Sequence, residues 1–182
     1  MVELYFPLSL KKKLKGERNK LYRLAMSWCG DRMLADDLVQ ECMVKAWQNR
    51  HQLKDREKLN AWMFRILHNC WMEYLRRAKP TTDLEEIPVP IDAGGGPDSK
   101  LEQQQLAARV RLAVSRLPVG QREVVTLVDL EELRYAEVAE ILDMPIGTVM
   151  SRLNRARKTL RDELLHLQAP MVRKETVLRR VK

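Results

Sequence analysis

The sequence predicts an all-α protein: two small helical domains joined by a flexible acidic linker, the C-terminal one a helix-turn-helix. Three observations predict it. Apolar residues recur at spacings of three and four on both sides of a single break, the period of amphipathic helices. Aromatic residues are only 5% of the chain and β-branched runs are scarce, which argues against an all-β sandwich. No strand–helix alternation is present, so neither a Rossmann nor a receiver domain is expected.

The first half predicts helices over about 17–29, 32–48 and 58–77. In the second, Leu34, Leu38, Cys42 and Ala46 fall four apart, with Val39, Met43 and Trp47 beside them, forming one broad apolar face. Asp31, after Gly30, suits the N-cap. The opposite face carries Asp36, Asp37, Gln40, Glu41, Lys45 and Gln48. A polar loop, Asn49 to Lys58, follows. In the third helix Met63, Phe64, Ile66, Leu67, Cys70, Trp71, Tyr74 and Leu75 are apolar, while Arg65, Asn69, Met72 and Arg76 share another face at spacings of four, three and four.

The break lies at Pro80 to Ser99, where four prolines and the run Gly94-Gly95-Gly96 prevent a regular element. Between Thr81 and Ser99 stand Asp83, Glu85, Glu86, Asp92 and Asp98, with no Lys or Arg. Such a segment is either a solvated tether or an acidic strand that lies in a basic groove in place of nucleic acid. The expected organisation is therefore a domain at 1–79, a linker at 80–100, a second domain at 101–168 and a basic tail at 169–182. Helices are expected at about 100–116, 118–130, 134–142 and 146–165, with Pro118 in a first turn.

Composition narrows the function classes. Lys and Arg number 33 against 25 Asp and Glu, a net charge of +8, which favours a polyanionic partner. Cys29, Cys42 and Cys70 are far apart and form no CxxC pair, so neither a disulfide framework nor a zinc ribbon is expected. His51, His68 and His166 make no metal-ligand spacing, and ordinary helix packing explains His68 beside Cys70. No metal or cofactor is expected. There is no P-loop or nucleophile elbow to suggest an enzyme. No apolar run approaches the roughly 18 residues of a spanning helix. The N-terminus is apolar first and basic second, the reverse of a secretory signal, so a cytoplasmic protein is expected.

The most informative stretch is Tyr135 to Lys158. One short helix buries Val138, Ala139 and Leu142; a tight break follows at Asp143-Met144-Pro145; a second helix carries the apolar stripe Val149, Leu153, Ala156 and Leu160. Asp143 tolerates the left-handed conformation that the turn needs. This is the layout of a helix-turn-helix, whose second helix fits the major groove. A plain helical hairpin with a solvated charged face shares the spacing. The excess of bases tips the balance: from Pro145 onward Arg152, Arg155, Arg157, Lys158, Arg161, Arg173, Lys174, Arg179, Arg180 and Lys182 face only Asp162, Glu163 and Glu175.

The run IGTVMSRLNRARKTL resembles the C-terminal helix-turn-helix of bacterial extracytoplasmic-function (ECF) sigma factors, through Gly147, Thr148, Val149, Ser151, Arg152, Leu153, Arg155, Ala156 and Arg157. Met150 stands where that family usually has Lys. Separately, Asp36-Asp37-Leu38-Val39-Gln40-Glu41 with Ala46-Trp47 is similar to the family's polymerase-binding helix. Ala61-Trp62, Arg65-Ile66, Asn69 and Arg76-Arg77 are similar to its promoter-melting helix. The resemblance implies an alternative sigma factor with core RNA polymerase and promoter DNA as partners. It also implies an anti-sigma factor, often membrane-bound, without membrane insertion of the chain itself.

It further implies roles. Asp36, Asp37, Gln40, Glu41 and Lys45 would dock on polymerase. Arg65, Asn69, Met72, Arg76 and Arg77 would meet the −10 strand, with a base flipped out of the stack. Asn69 is the better base reader because an amide both donates and accepts, whereas Trp62 and Trp71 fit the core. Thr148, Ser151 and Arg152 would contact the −35 element, with Arg155, Arg157 and Lys158 toward phosphates. A stand-alone helix-turn-helix regulator is the alternative; it would bind duplex DNA without polymerase and need no Asp37/Gln40/Glu41 surface.

Overall fold

The computed structural model describes residues 6–55, 57–78 and 101–168, with side chains described within 16–55, 57–78 and 106–165. The expected acidic linker and basic tail lie outside the described residues. Among the described residues the chain is helical throughout, as expected: α1 (Phe6–Cys29), α2 (Arg32–Gln48), α3 (Leu59–Ala78), α4 (Leu101–Ser115), α5 (Val119–Val125), α6 (Tyr135–Leu142) and α7 (Ile146–Gln168). A single 3₁₀ turn, Arg50–Gln52, precedes α3, and a π turn, Thr126–Leu130, continues α5.

α1, α2 and α3 pack on one another. α1 contributes Leu21, Leu24, Ala25 and Trp28, all buried at helical spacing. α2 contributes Ala35, Leu38, Val39, Cys42 and Ala46. α3 contributes Leu59, Met63, Phe64, Leu67, Cys70, Trp71 and Leu75. Trp71 is buried and Trp62 half-buried against the core, as expected of both. Tyr74 and Trp47, expected on apolar faces, are instead partly exposed; Tyr74 stacks on Trp71 from outside at 5.7 Å. Asp31 caps α2 by accepting the Leu34 N–H at 2.9 Å, satisfying one of the helix's orphan donors.

α4, α5 and α6 pack around α7. Val119, Val124, Val125, Leu127, Val138, Ile141 and Leu142 meet Val149, Leu153 and Ala156 in the core. Glu137 accepts the Arg134 backbone N–H at 3.0 Å and so starts α6. α6 ends at Asp143, which takes the left-handed conformation (φ 51°) expected of it. Met144 N–H then bonds the Ala139 carbonyl at 3.1 Å. Pro145 opens α7 by accepting the N–H groups of Thr148 and Val149.

Two expected element bounds change. α1 begins at Phe6 rather than near 17: Pro7 is tolerated in a first turn, and the Leu- and Lys-rich run that follows is a good helix former. The helix expected to run to 130 loses α geometry at Thr126, whose hydroxyl bonds the carbonyls of Arg122 and Glu123. The two helical groups also touch: α1 packs on α4 and α5, and α3 on α6. Trp28, His68, Arg122, Glu123 and Thr126 are buried at or beside this joint.

Candidate nucleic-acid interface

α3 presents its expected face cleanly. Arg65, Asn69 and Arg76 are exposed along one side and Met72 is half-buried between them. The other side of the helix is the core, so packing itself aims these side chains outward. Arg77 is held by Glu73, which also accepts from Lys45 at 2.8 Å. The bond to Lys45, and the nearby Arg77, hold the Glu73 carboxyl below the ordinary carboxylate range. The loop before α3 is anchored by buried Leu53, while His51, Gln52, Lys54, Asp55, Glu57 and Lys58 around it are exposed.

α7 divides its residues differently. Val149, Leu153 and Ala156 face the core. Two of the arginines expected on DNA flank that stripe, Arg152 half-buried near α5 and Arg157 exposed beside the π turn. Arg152 lies over Gly120 at the start of α5: a Cβ on Gly120 would come within 2.9 Å of the guanidinium carbon. Arg157 donates to Asp129 of the π turn at 2.6 and 3.2 Å, a bidentate pair that raises its already high pKa. The face pointing away from the core carries Met150, Asn154, Arg155 and Lys158, all exposed, with Ser151 half-buried among them. Thr148 is half-buried, and its carbonyl accepts the Ser151 hydroxyl at 3.0 Å. Met150 and Asn154 were not among the expected contacts. The signal that finds them is their helical register with Ser151, Arg155 and Lys158, not charge.

On α2, Asp36 is tied to Arg18 of α1 at 2.8 Å. Lys45 sits between Glu41 (2.7 Å) and Glu73 (2.8 Å), and those bonds raise its pKa. Asp37 and Gln40 are exposed. Between and beyond them, at spacings of four, three, four and three, lie Met33 (80% exposed), Val44 (55%) and Trp47 (38%). The outer side of α2 therefore mixes exposed apolar and polar side chains. Met33 and Val44 escape a reading based on charge, although their spacing along the outer side of α2 is visible in the sequence.

The three thiols are buried. Desolvation pushes Cys29 and Cys70 up to about 11 and Cys42 higher still. Among the described residues no three His, Cys, Asp or Glu side chains cluster as metal ligands. Likewise, no described helix is long and apolar enough to cross a membrane.

Comparison with known proteins follows this geometry. The family description "Sigma-70 region 2" matches residues 15–81, which hold α2 and α3, and "Sigma-70, region 4" matches residues 107–160, which hold α5, α6 and the exposed face of α7. The chain is 34% identical over 148 residues to the ECF RNA polymerase sigma factor SigM of Mycobacterium tuberculosis, covering 80% of this chain and 72% of that protein. It is 28% identical over 160 residues to the ECF RNA polymerase sigma factor SigW of Bacillus subtilis, covering 82% and 86%. Among solved structures it is similar to the sigma factor RpoE of Bartonella quintana, in complex with the anti-sigma factor NepR. There the TM-score is 0.66 at 26% identity, over 86% of this chain and 97% of that one.

Proposed function

The chain belongs to the ECF RNA polymerase sigma factors, which bind core polymerase and direct promoter-specific initiation, and from that premise we propose which side chains do each task. The observation that carries the proposal is the separation of three faces on three helices: a mixed apolar and polar stripe on α2, an Arg/Asn face on α3 and a polar, basic face on α7.

Core polymerase docks on α2 through Asp37 and Gln40, flanked by Met33, Val44 and Trp47. Asp36, Glu41 and Lys45 shape this surface through their ion pairs. A polymerase-independent regulator would gain nothing from such a stripe. The −10 strand is met by Arg65, Asn69, Met72, Arg76 and Arg77, with Asn69 on a base edge and the arginines toward phosphates. The −35 duplex is met by α7, with exposed Arg155 and Lys158 outermost, half-buried Thr148, Ser151 and Arg152 closer to the scaffold, and Arg157 exposed but paired with Asp129.

The domains that carry these faces are residues 1–79 and 101–168, with 80–100 as the tether between them and 169–182 as a basic tail. The chain acts by binding, in the cytoplasm, and the polymerase supplies the chemistry. An anti-sigma factor is a further partner, in line with the Bartonella quintana sigma factor RpoE, whose structure is in complex with the anti-sigma factor NepR. The test is in vitro transcription with purified core polymerase and genomic promoter fragments. The chain should direct initiation from a specific subset, and Asp37→Lys should abolish this while the chain stays folded. Specific duplex binding without polymerase, and no initiation with it, would overturn the proposal.

A further inference from the structure

The outer side of α7 is not uniformly polar. Ile146 and Met150 stand one turn apart at its N-terminal end, 49% and 53% exposed. Val149 beside them is buried, so the helix meets its core there through a different side chain. From Ile146 to Arg161 the helix holds Arg152, Arg155, Arg157, Lys158 and Arg161 and no acid. A surface of that charge draws a polyanion rather than an apolar protein face. Gly147 adds a second observation. A Cβ built on it would meet nothing within 4 Å, and its φ is not positive. Neither packing within the chain nor backbone conformation therefore calls for glycine at this position. What the missing side chain provides is a bare first turn that can approach a groove closely.

The chemistry of a base edge then decides what an apolar side chain can do there. In the major groove the bases present nitrogen and oxygen donors and acceptors, and thymine alone adds an apolar group, its C5-methyl. Met150 has no hydrogen to donate and only a weakly accepting sulfur, so it cannot read the polar pattern. Its unbranched, polarisable thioether fits closely over a methyl group. We propose that Met150 is a specificity-determining residue that selects thymine at one position of the −35 element by covering its C5-methyl, with Ile146 behind it toward the turn. The inference rests on the −35 reading given above. Arg155 and Lys158 hold the helix on the duplex, and Met150 adds a preference that charge cannot supply.

Removing the methyl group alone tests it. The −35 element is first selected from a randomised library with holoenzyme carrying the full chain. Each thymine of the selected element, on either strand, is then replaced singly by deoxyuridine, which keeps every hydrogen-bonding group and lacks the methyl. At one position holoenzyme binding should fall about three- to fivefold, the worth of one buried methyl. Met150→Ala should bind the thymine element more weakly by a similar factor and be indifferent to deoxyuridine at that position. Met150→Lys, on an exposed site that the fold tolerates, should shift the preferred base there from thymine toward guanine. Both variants should keep the parent's helicity and melting temperature. Tolerance of deoxyuridine at every position, a selected element without thymine, or a deoxyuridine penalty that persists in Met150→Ala would overturn the thymine contact while leaving the −35 reading intact. A holoenzyme that selects no −35 sequence at all would overturn both.

Discussion

α3 and α7 are both proposed to meet DNA, yet they present their arginines in opposite ways. On α3, Arg65 and Arg76 stand exposed on the face opposite the core, and spacing alone located them. On α7, Arg152 is half-buried near Gly120 and exposed Arg157 pairs with Asp129, so neither stands free in the way Arg155 and Lys158 do. A charge count treats all of these alike. The lesson is that, on a helix with a narrow apolar stripe, basic residues flanking the stripe meet neighbouring elements while those opposite it stand free.

That contrast can be broken or sharpened by substitution. The largest effect is expected for Arg155→Ala on the outer face of α7. It should weaken use of the preferred −35 element by about 1–3 kcal/mol and alter base preference there. Selection from a randomised −35 library with holoenzyme measures both. Asn69→Ala, the corresponding change on α3, should cost about 1 kcal/mol in promoter opening, seen by permanganate reactivity, with −35 binding unchanged. Arg152→Ala should lower thermal stability by about 1 kcal/mol and weaken −35 binding evenly across sequences. A changed base preference in that variant would return Arg152 to the readers. Asp129→Asn should release Arg157, raise general DNA affinity slightly and steepen the salt dependence by about one unit of slope. The smallest effect concerns chemistry rather than contact. Because burial holds the thiols protonated up to about pH 11 for Cys29 and Cys70, and beyond that for Cys42, a thiol reagent at pH 8 should label none of them until the protein is unfolded.

Local features were legible in the sequence. α2 has the bounds its apolar spacing predicts, the Asp31 cap and the Asp143 turn are where their chemistry requires, and α6 and α7 form the expected helix-turn-helix. These depend on residues a few positions apart. What escaped depends on distant ones. Trp28 meets Thr126 and Arg122 across 98 and 94 positions, and His68 meets Glu123 across 55. Only an indole, a guanidinium and a carboxylate placed among apolar neighbours hinted that a polar partner would be needed. The π turn was hidden for a similar reason: Thr126 sits in a pattern that is otherwise good helix, and its side-chain bonds to the preceding turn accompany the change. On the candidate site, charge and spacing pointed to the face that α3 exposes. On α7 charge alone did not separate the braced arginines from the outward ones. Met33, Val44 and Asn154 were not singled out, and Met150 was noted only as a departure from the resembled family.

The central claim is that α3 and α7 each read a separate promoter element within one polymerase holoenzyme. Hydroxyl-radical footprinting of that holoenzyme on a responsive promoter, with Asn69→Ala and Arg155→Ala compared against the parent chain, tests it most directly. The account predicts that Asn69→Ala loses protection and strand opening around −10 while −35 stays protected, and that Arg155→Ala loses protection around −35 first. Equal loss at both elements in either variant, or no change in both, would contradict it.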